Sequence, residues 1–183
     1  MNKHHLVLGE LIDYITGEVL EDTHDERYRQ AISRILVEKK GYEKQDIIAR
    51  KPVMAEADSK KAIIKADYVI ELGNRVSMLV KYGPGSLVTR RRPSISASRL
   101  LKGYEIPVVV VTNGVSAEII DGHSGIVIQE GLERIPTKEE LLKIIREFDF
   151  KPVSPKKLEM EARILYAYEV DDSCPCDDTI CRL

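Results

Sequence analysis

Two spacings of apolar residues alternate along the chain, and they predict its elements. Tyr28, Ile32, Ile35 and Leu36 recur at helical spacing, with Thr23 and Glu26 as a capping box before them and Gly41 as a stop. DIIARKPV (46–53) then reads as a strand, followed by a polar loop through Lys60 and Lys61. AIIKADYVIEL (62–72) and RVSMLVKY (75–82) are strands joined by a two-residue turn at Gly73-Asn74. RRRPSISASRLLKGYE is a short helix ending at Gly103. PVVVVTNG (107–114) is a continuous β-branched run, the signature of a central strand covered on both faces. AEIIDGHSGIVI folds as a hairpin around residues 121–125. A second capping box, Thr137 and Glu140, opens a helix that buries Leu141, Leu142, Ile144, Ile145 and Phe148. A last helix starts at Ser154 as cap with Pro155 in its first position.

The order helix, three-strand meander, helix, strand, hairpin, helix, helix predicts an α/β fold with a mixed sheet flanked by helices. The chain is long enough for one domain with a real core, spanning 1–150 with an N-terminal extension. Residues 151–183 add the last helix and an acidic tail. The 28 Lys and Arg against 30 Asp and Glu leave a formal charge of −2, so any polyanion contact must be a local patch. No apolar run approaches the roughly 20 residues that cross a bilayer. The N-terminus has no long apolar stretch with a small-residue cleavage site, and the cysteines cluster in 174–183 rather than forming a disulfide framework. The expectation is a cytoplasmic protein without membrane contact. No phosphate-binding G-x-x-x-x-G-K-[ST] loop is present, so ATP hydrolysis is not expected.

The chemistry centres on Asp67. A turn at Gly73-Asn74 makes Leu72 face Arg75, which sets Asp67 opposite Val80 and Lys65 opposite Tyr82. Alternation then puts Lys65, Asp67, Val80 and Tyr82 on one face and Lys81 on the other. A carboxylate inside an apolar strand costs several kcal/mol unless it meets a cation, a metal or donors, of order the penalty for any buried charge. A pairing with Lys65 or with backbone donors satisfies Asp67 without any catalytic role.

The blocks LVEKKGYEKQDI, ADYVI, LVKYGPG and VVVVTNG, in that order between about Asp25 and Ile145, resemble the N-terminal nuclease domain of the R subunit of type I restriction enzymes. That family belongs to the PD-(D/E)xK nucleases. The resemblance implies a restriction-endonuclease-like fold in which the Asp of the second strand and the Glu of a Glu-x-Lys on the third hold a divalent metal such as Mg²⁺. Asp67 matches the Asp, whereas the Glu position falls on Val80 and the Lys position on Tyr82. Valine offers no oxygen, and a phenol with an ordinary pKa of about 10 cannot stand in for an ammonium. The motif is therefore degenerate. Lys65 could return an ammonium to the corner, and Glu26 on the first helix could approach it, as a Glu there often does in related nucleases. Glu71 is a poorer candidate, about 13 Å from Asp67 along the strand.

Other groups carry weaker signals. Arg90, Arg91 and Arg92 follow the Gly-Pro-Gly turn, where the family's substrate backbone passes, and could grip phosphates; a solvated loop reads equally well. Cys174, Cys176 and Cys181 offer three thiolates to Zn²⁺, with a fourth ligand from His123, an aspartate or a second subunit, against the alternative of a mobile acidic tail. His4, His5 and His24 show no metal-ligand spacing. The expected function is a catalytically degenerate relative of the R-subunit nuclease domain that binds DNA or a protein partner. The alternatives are an active metal-dependent DNA endonuclease built on Asp67, Lys65 and Glu26, and an interaction module that assembles, with itself or another protein, through its tail.

Overall fold

The computed structural model describes residues 6–57, 60–171 and 180–182. A hairpin, β1 (Glu10–Ile12) and β2 (Val19–Glu21), precedes helix α1 (His24–Arg34). Thr23 caps α1 by accepting the Glu26 N–H, but the expected reciprocal bond from Glu26 is not made, because its carboxylate turns inward to Gln30 and Arg50. The helix widens into a π turn over Ile35–Lys39 before the left-handed Gly41. Ile32 and Leu36 reach the core as expected, whereas Tyr28 is 41% exposed at the rim.

The main sheet follows: β3 (Ile47–Ala57), β4 (Lys60–Leu72), β5 (Arg75–Tyr82), the crossover helix α2 (Val88–Lys102), β6 (Val108–Thr112), β7 (Ala117–Asp121) and β8 (Val127–Glu130). Helices α3 (Lys138–Glu147) and α4 (Pro155–Tyr166) and a short β9 (Ile180–Arg182) complete the described chain. The strands lie in sequence order from β3 to β8, with β5 and β6 parallel and every other neighbour antiparallel. The fold is the α/β mixed sheet that the pattern predicts. No helix among the described residues is long and apolar enough to cross a membrane.

Two cores flank the sheet. Val109 and Val111 of β6 pack with Ile95 of α2 and Leu165 of α4, while Val108 and Val110 pack with Ile32 of α1 and Leu141 of α3. That two-sided burial is why β6 reads as an unbroken run of valine. The outer parts of α3 are drier in sequence than in space, since Ile144 is 37% exposed. Lys60 and Lys61 belong to β4 rather than to a loop, and α2 starts at Val88, so the three arginines lie within the helix, across its first and second turns, and not in a loop before it.

The decisive departure is in register. Leu72 faces Arg75 and Glu71 faces Val76, as the turn demands, but a bulge between Ile70 and Glu71 then shifts the pairing by one residue. Val80 faces Tyr68, not Asp67, and the β4–β5 ladder ends there. Upstream, over 62–64, β4 pairs with β9 instead. On its other side, β3 and β4 pair at Ala49–Tyr68 and Lys51–Ala66, but not between them, where Arg50 has φ 51°. The kink rotates the strand: Ala62, Ile64 and Ala66 pack beneath α2 and α4, and Tyr68, Ile70 and Leu72 pack beneath α1. Strict alternation would put all six on one face. Asp67 sits at the point of rotation.

The β6–β7–β8 end depends on one close approach. A Cβ on Gly122 would lie 1.8 Å from the Ile106 carbonyl oxygen, a backbone atom with nowhere to go. Gly122→Ala should therefore lower the urea midpoint, at an unchanged slope, by the equivalent of about 1–3 kcal/mol or more.

Candidate active site

The kink delivers Asp67 to α1. Its Oδ1 accepts a hydrogen bond from Arg29 Nε at 2.7 Å, and its Oδ2 accepts the Tyr82 backbone N–H at 2.8 Å, where the β4–β5 ladder would otherwise have continued. Arg29 also lies 5.0 Å above the Tyr82 ring, and the Tyr68 hydroxyl donates to the Arg29 carbonyl at 2.8 Å. Burial by itself would lower the Arg29 pKa, but the charge and hydrogen bond of Asp67 outweigh it, so the guanidinium is held charged more firmly than usual. The Tyr82 ring stacks on Tyr28 at 6.0 Å and its hydroxyl donates to Asp25 at 2.9 Å. Burial, then that bond to Asp25, push the phenol above its ordinary pKa, so it stays neutral.

A second pair continues the chain of charges. Glu26 accepts from Gln30 Nε2 and Arg50 Nη2, both at 2.8 Å, and its other oxygen is 3.6 Å from Arg29 Nη1. Arg50 Nη1 contacts Asp13 at 2.7 Å, and Asp13 also accepts from Gln30 Nε2 and from the N–H groups of Ile15 and Thr16. Burial pushes the Asp13 carboxyl up, but the donors of Thr16, Arg50 and Gln30 more than offset this, and it lies below the usual carboxylate range. Three acids, Asp13, Glu26 and Asp67, thus alternate with two arginines, 50 and 29.

This donor set does not fit a hard divalent cation. Both Asp67 oxygens are engaged, Val80 is buried hydrocarbon, and among the described residues no group of three or more His, Cys, Asp or Glu gathers as metal ligands. Guanidinium groups supply the positive charge.

The model of the type I restriction enzyme R protein N terminus matches residues 24–136. The chain belongs to this family. Among solved structures, the type IIG restriction endonuclease BpuSI is similar at 17% identity with a TM-score of 0.39, over 82% of this chain and 17% of that one. The chain spans about a sixth of the length of that enzyme. No curated protein matches. The R-protein match begins at α1 and runs past β8, so it takes in Glu26, Arg29, Arg50, Asp67, Val80 and Tyr82. The hairpin with Asp13 lies ahead of it.

This R-protein N terminus brings Asp67, Val80 and Tyr82 to one corner, but not by the register read from the turn. Lys65 is exposed and pairs across to Pro52 rather than to Tyr82; its carbonyl accepts from Lys81 Nζ at 3.2 Å. Lys81 points away from the corner as expected, with Nζ 3.7 Å from Glu169. The arginine triplet is mostly spoken for. Arg91 clasps Glu118 with two bonds of 2.5 and 2.6 Å, and Arg92 reaches Glu161 and Ser96 at 2.7 Å. Arg90 packs over Gly83 and has no ion pair among those found in the described residues. His123 contacts Glu105 through Nδ1. His4, His5, Cys174 and Cys176 lie outside the described residues, and of Cys181 only its place in β9 is described, so the zinc expectation falls outside them.

Sequence reasoning missed Arg29, Arg50, Asp25 and Asp13. Arg29 stands three residues after Glu26 on one helix, a spacing that could have flagged it. Arg50 carries no such signal, because its left-handed backbone depends on the strand opposite.

Proposed function

We propose that the protein is a catalytically silent nuclease-type domain of the R-protein N-terminal family that acts by binding, with duplex DNA as its partner. The observation that carries the reading is the Arg29 guanidinium seated on Asp67 where hydrolysis would require a metal, with Val80 and Tyr82 in the remaining motif positions. A phosphodiester at this corner would meet neither a metal-activated water nor an ammonium. Arg90, at the lip of the Gly83-Pro84-Gly85 turn and without an observed carboxylate partner, supports phosphate contact; Arg91 and Arg92, clasped by Glu118 and Glu161, support it less.

Two measurements test this. Incubation with plasmid and Mg²⁺ or Mn²⁺ should leave the plasmid intact; cleavage that disappears in Asp67→Ala would establish the endonuclease reading instead. A salt titration of duplex binding should show affinity falling steeply with salt, with the slope of log K on log salt reduced by about one in Arg90→Ala. Absence of any duplex binding at low salt would leave a protein-interaction domain.

A further inference from the structure

The N-terminal hairpin contributes to the corner although it lies outside the family match. Its turn is docked rather than loose. Asp13, whose side chain is fully buried, joins Arg50 and Gln30, the same two groups that hold Glu26. The Tyr14 N–H donates to Gln30 Oε1 at 2.7 Å, and the Tyr14 ring lies 4.4 Å from the Arg34 guanidinium carbon and 4.2 Å from Lys44 Nζ. Beyond these contacts, Ile15 packs partly buried against the core that holds Ile32 and Tyr68, and Arg27 clasps Asp22 with bonds of 2.6 and 2.7 Å, while the strands themselves bury little. Ile12 and Val19 face each other across the hairpin at 69% and 62% exposure, and Leu6 and Leu8 are likewise exposed. Beneath the latch, Arg50 is a non-glycine residue at positive φ, a strained conformation that persists only where its surroundings impose it. The restraint available to Arg50 from outside the sheet is Asp13 together with Glu26.

We propose that residues 6–22 form a strap latched over Glu26 by Asp13 and Tyr14, and that its release exposes Glu26 and lets β3 relax at Arg50. A segment held over a strained residue by a compact set of polar contacts and one partly buried isoleucine is suited to open locally while the sheet stays folded, the kind of transition a switch uses. The strap works as such whether or not the corner hydrolyses anything.

Amide hydrogen exchange on the full chain tests it. The hairpin amides of Leu8, Asp13, Gly17 and Asp22, all hydrogen-bonded within the hairpin, should exchange at least about tenfold faster than Val109, Val110 and Val111 of β6. Asp13→Asn should accelerate the hairpin amides by a further factor of about ten while leaving β6 unchanged. Carbodiimide labelling of Glu26 should rise in parallel, with Glu161, buried on the far side of the sheet, as the internal reference. Should Asp13→Asn fail to fold, Tyr14→Ala reports the same opening without orphaning Arg50. The strap is refuted if the wild-type hairpin exchanges as slowly as β6, if either variant accelerates β6 equally, or if the hairpin opens while Glu26 labelling stays constant.

Discussion

Arg29→Met is expected to lower the free energy of unfolding by about 3–5 kcal/mol, the range for removing one partner of a buried ion pair. Asp67 is 7% exposed, and without the guanidinium it retains a single observed donor, the Tyr82 N–H. The methionine replaces the arginine stem and some of the packing over Tyr82, so the loss reports charge rather than volume. The double variant Arg29→Met/Asp67→Asn should recover a large part of the loss, because the amide oxygen still accepts from Tyr82 and no net charge is stranded. Urea unfolding of the four proteins yields the coupling directly. Equal losses in the single and double variants would mean that Arg29 acts through packing or through Glu26, 3.6 Å away, and that Asp67 does not need it.

The second large effect is expected on the opposite face of the sheet, at Glu161 of α4. Its carboxylate accepts from Arg92 Nη1 and Ser96 Oγ, both at 2.7 Å, and from Arg99 Nη1 at 2.5 Å, and so fastens α4 to α2. Glu161→Ala leaves Arg99, itself buried, with its charge unpaired and should cost about 3–5 kcal/mol. The same site predicts a pH dependence. Burial pushes the Glu161 carboxyl up, but the hydrogen bonds from Arg92, Ser96 and Arg99 outweigh it and hold the pKa below the ordinary 4.5. The unfolded chain therefore binds the proton more readily. The stabilisation is complete above pH 4.5 and is lost as pH falls through the lower folded value. Thermal unfolding followed downward from neutral pH should show wild type losing stability more steeply than Glu161→Ala in that acid window. Parallel profiles would mean that other carboxylates, Asp13 and Glu105 among them, dominate acid unfolding.

The arrangement of acids and arginines explains how a carboxylate buried at Asp67 is compatible with a stable fold. An unmet carboxylate at Asp67 would weigh on the strand it interrupts. In this chain the site keeps its acid but neutralises it from within, through a residue one helical turn from Glu26. Duplex-binding and cleavage measurements address what the corner does; Arg29→Met and its double variant with Asp67→Asn address what it costs the fold to keep it.

Local sequence determined a great deal here. Thr137 with Glu140, Ser154 with Pro155, the left-handed Gly73-Asn74 turn and the valine run of β6 each act over a few residues, so the elements they start, stop or fill were legible without coordinates. Asp67 could be singled out in the same way, as a charge inside an apolar strand. Its partner could not. Register propagates faithfully from a turn only while the ladder is regular, and the bulge at Ile70/Glu71 and the left-handed Arg50 both arise from how neighbouring strands twist and part. The hairpin of residues 10–21 was unread for a related reason: its strands are short, and its place is set by Asp13 and Tyr14 reaching residues far along the chain. The sequence by itself determined the main helices and central strands and where an acid would be buried. Only the tertiary structure decided which cation meets that acid, because the choice rests on a strand rotating at Asp67 and presenting its carboxylate to α1.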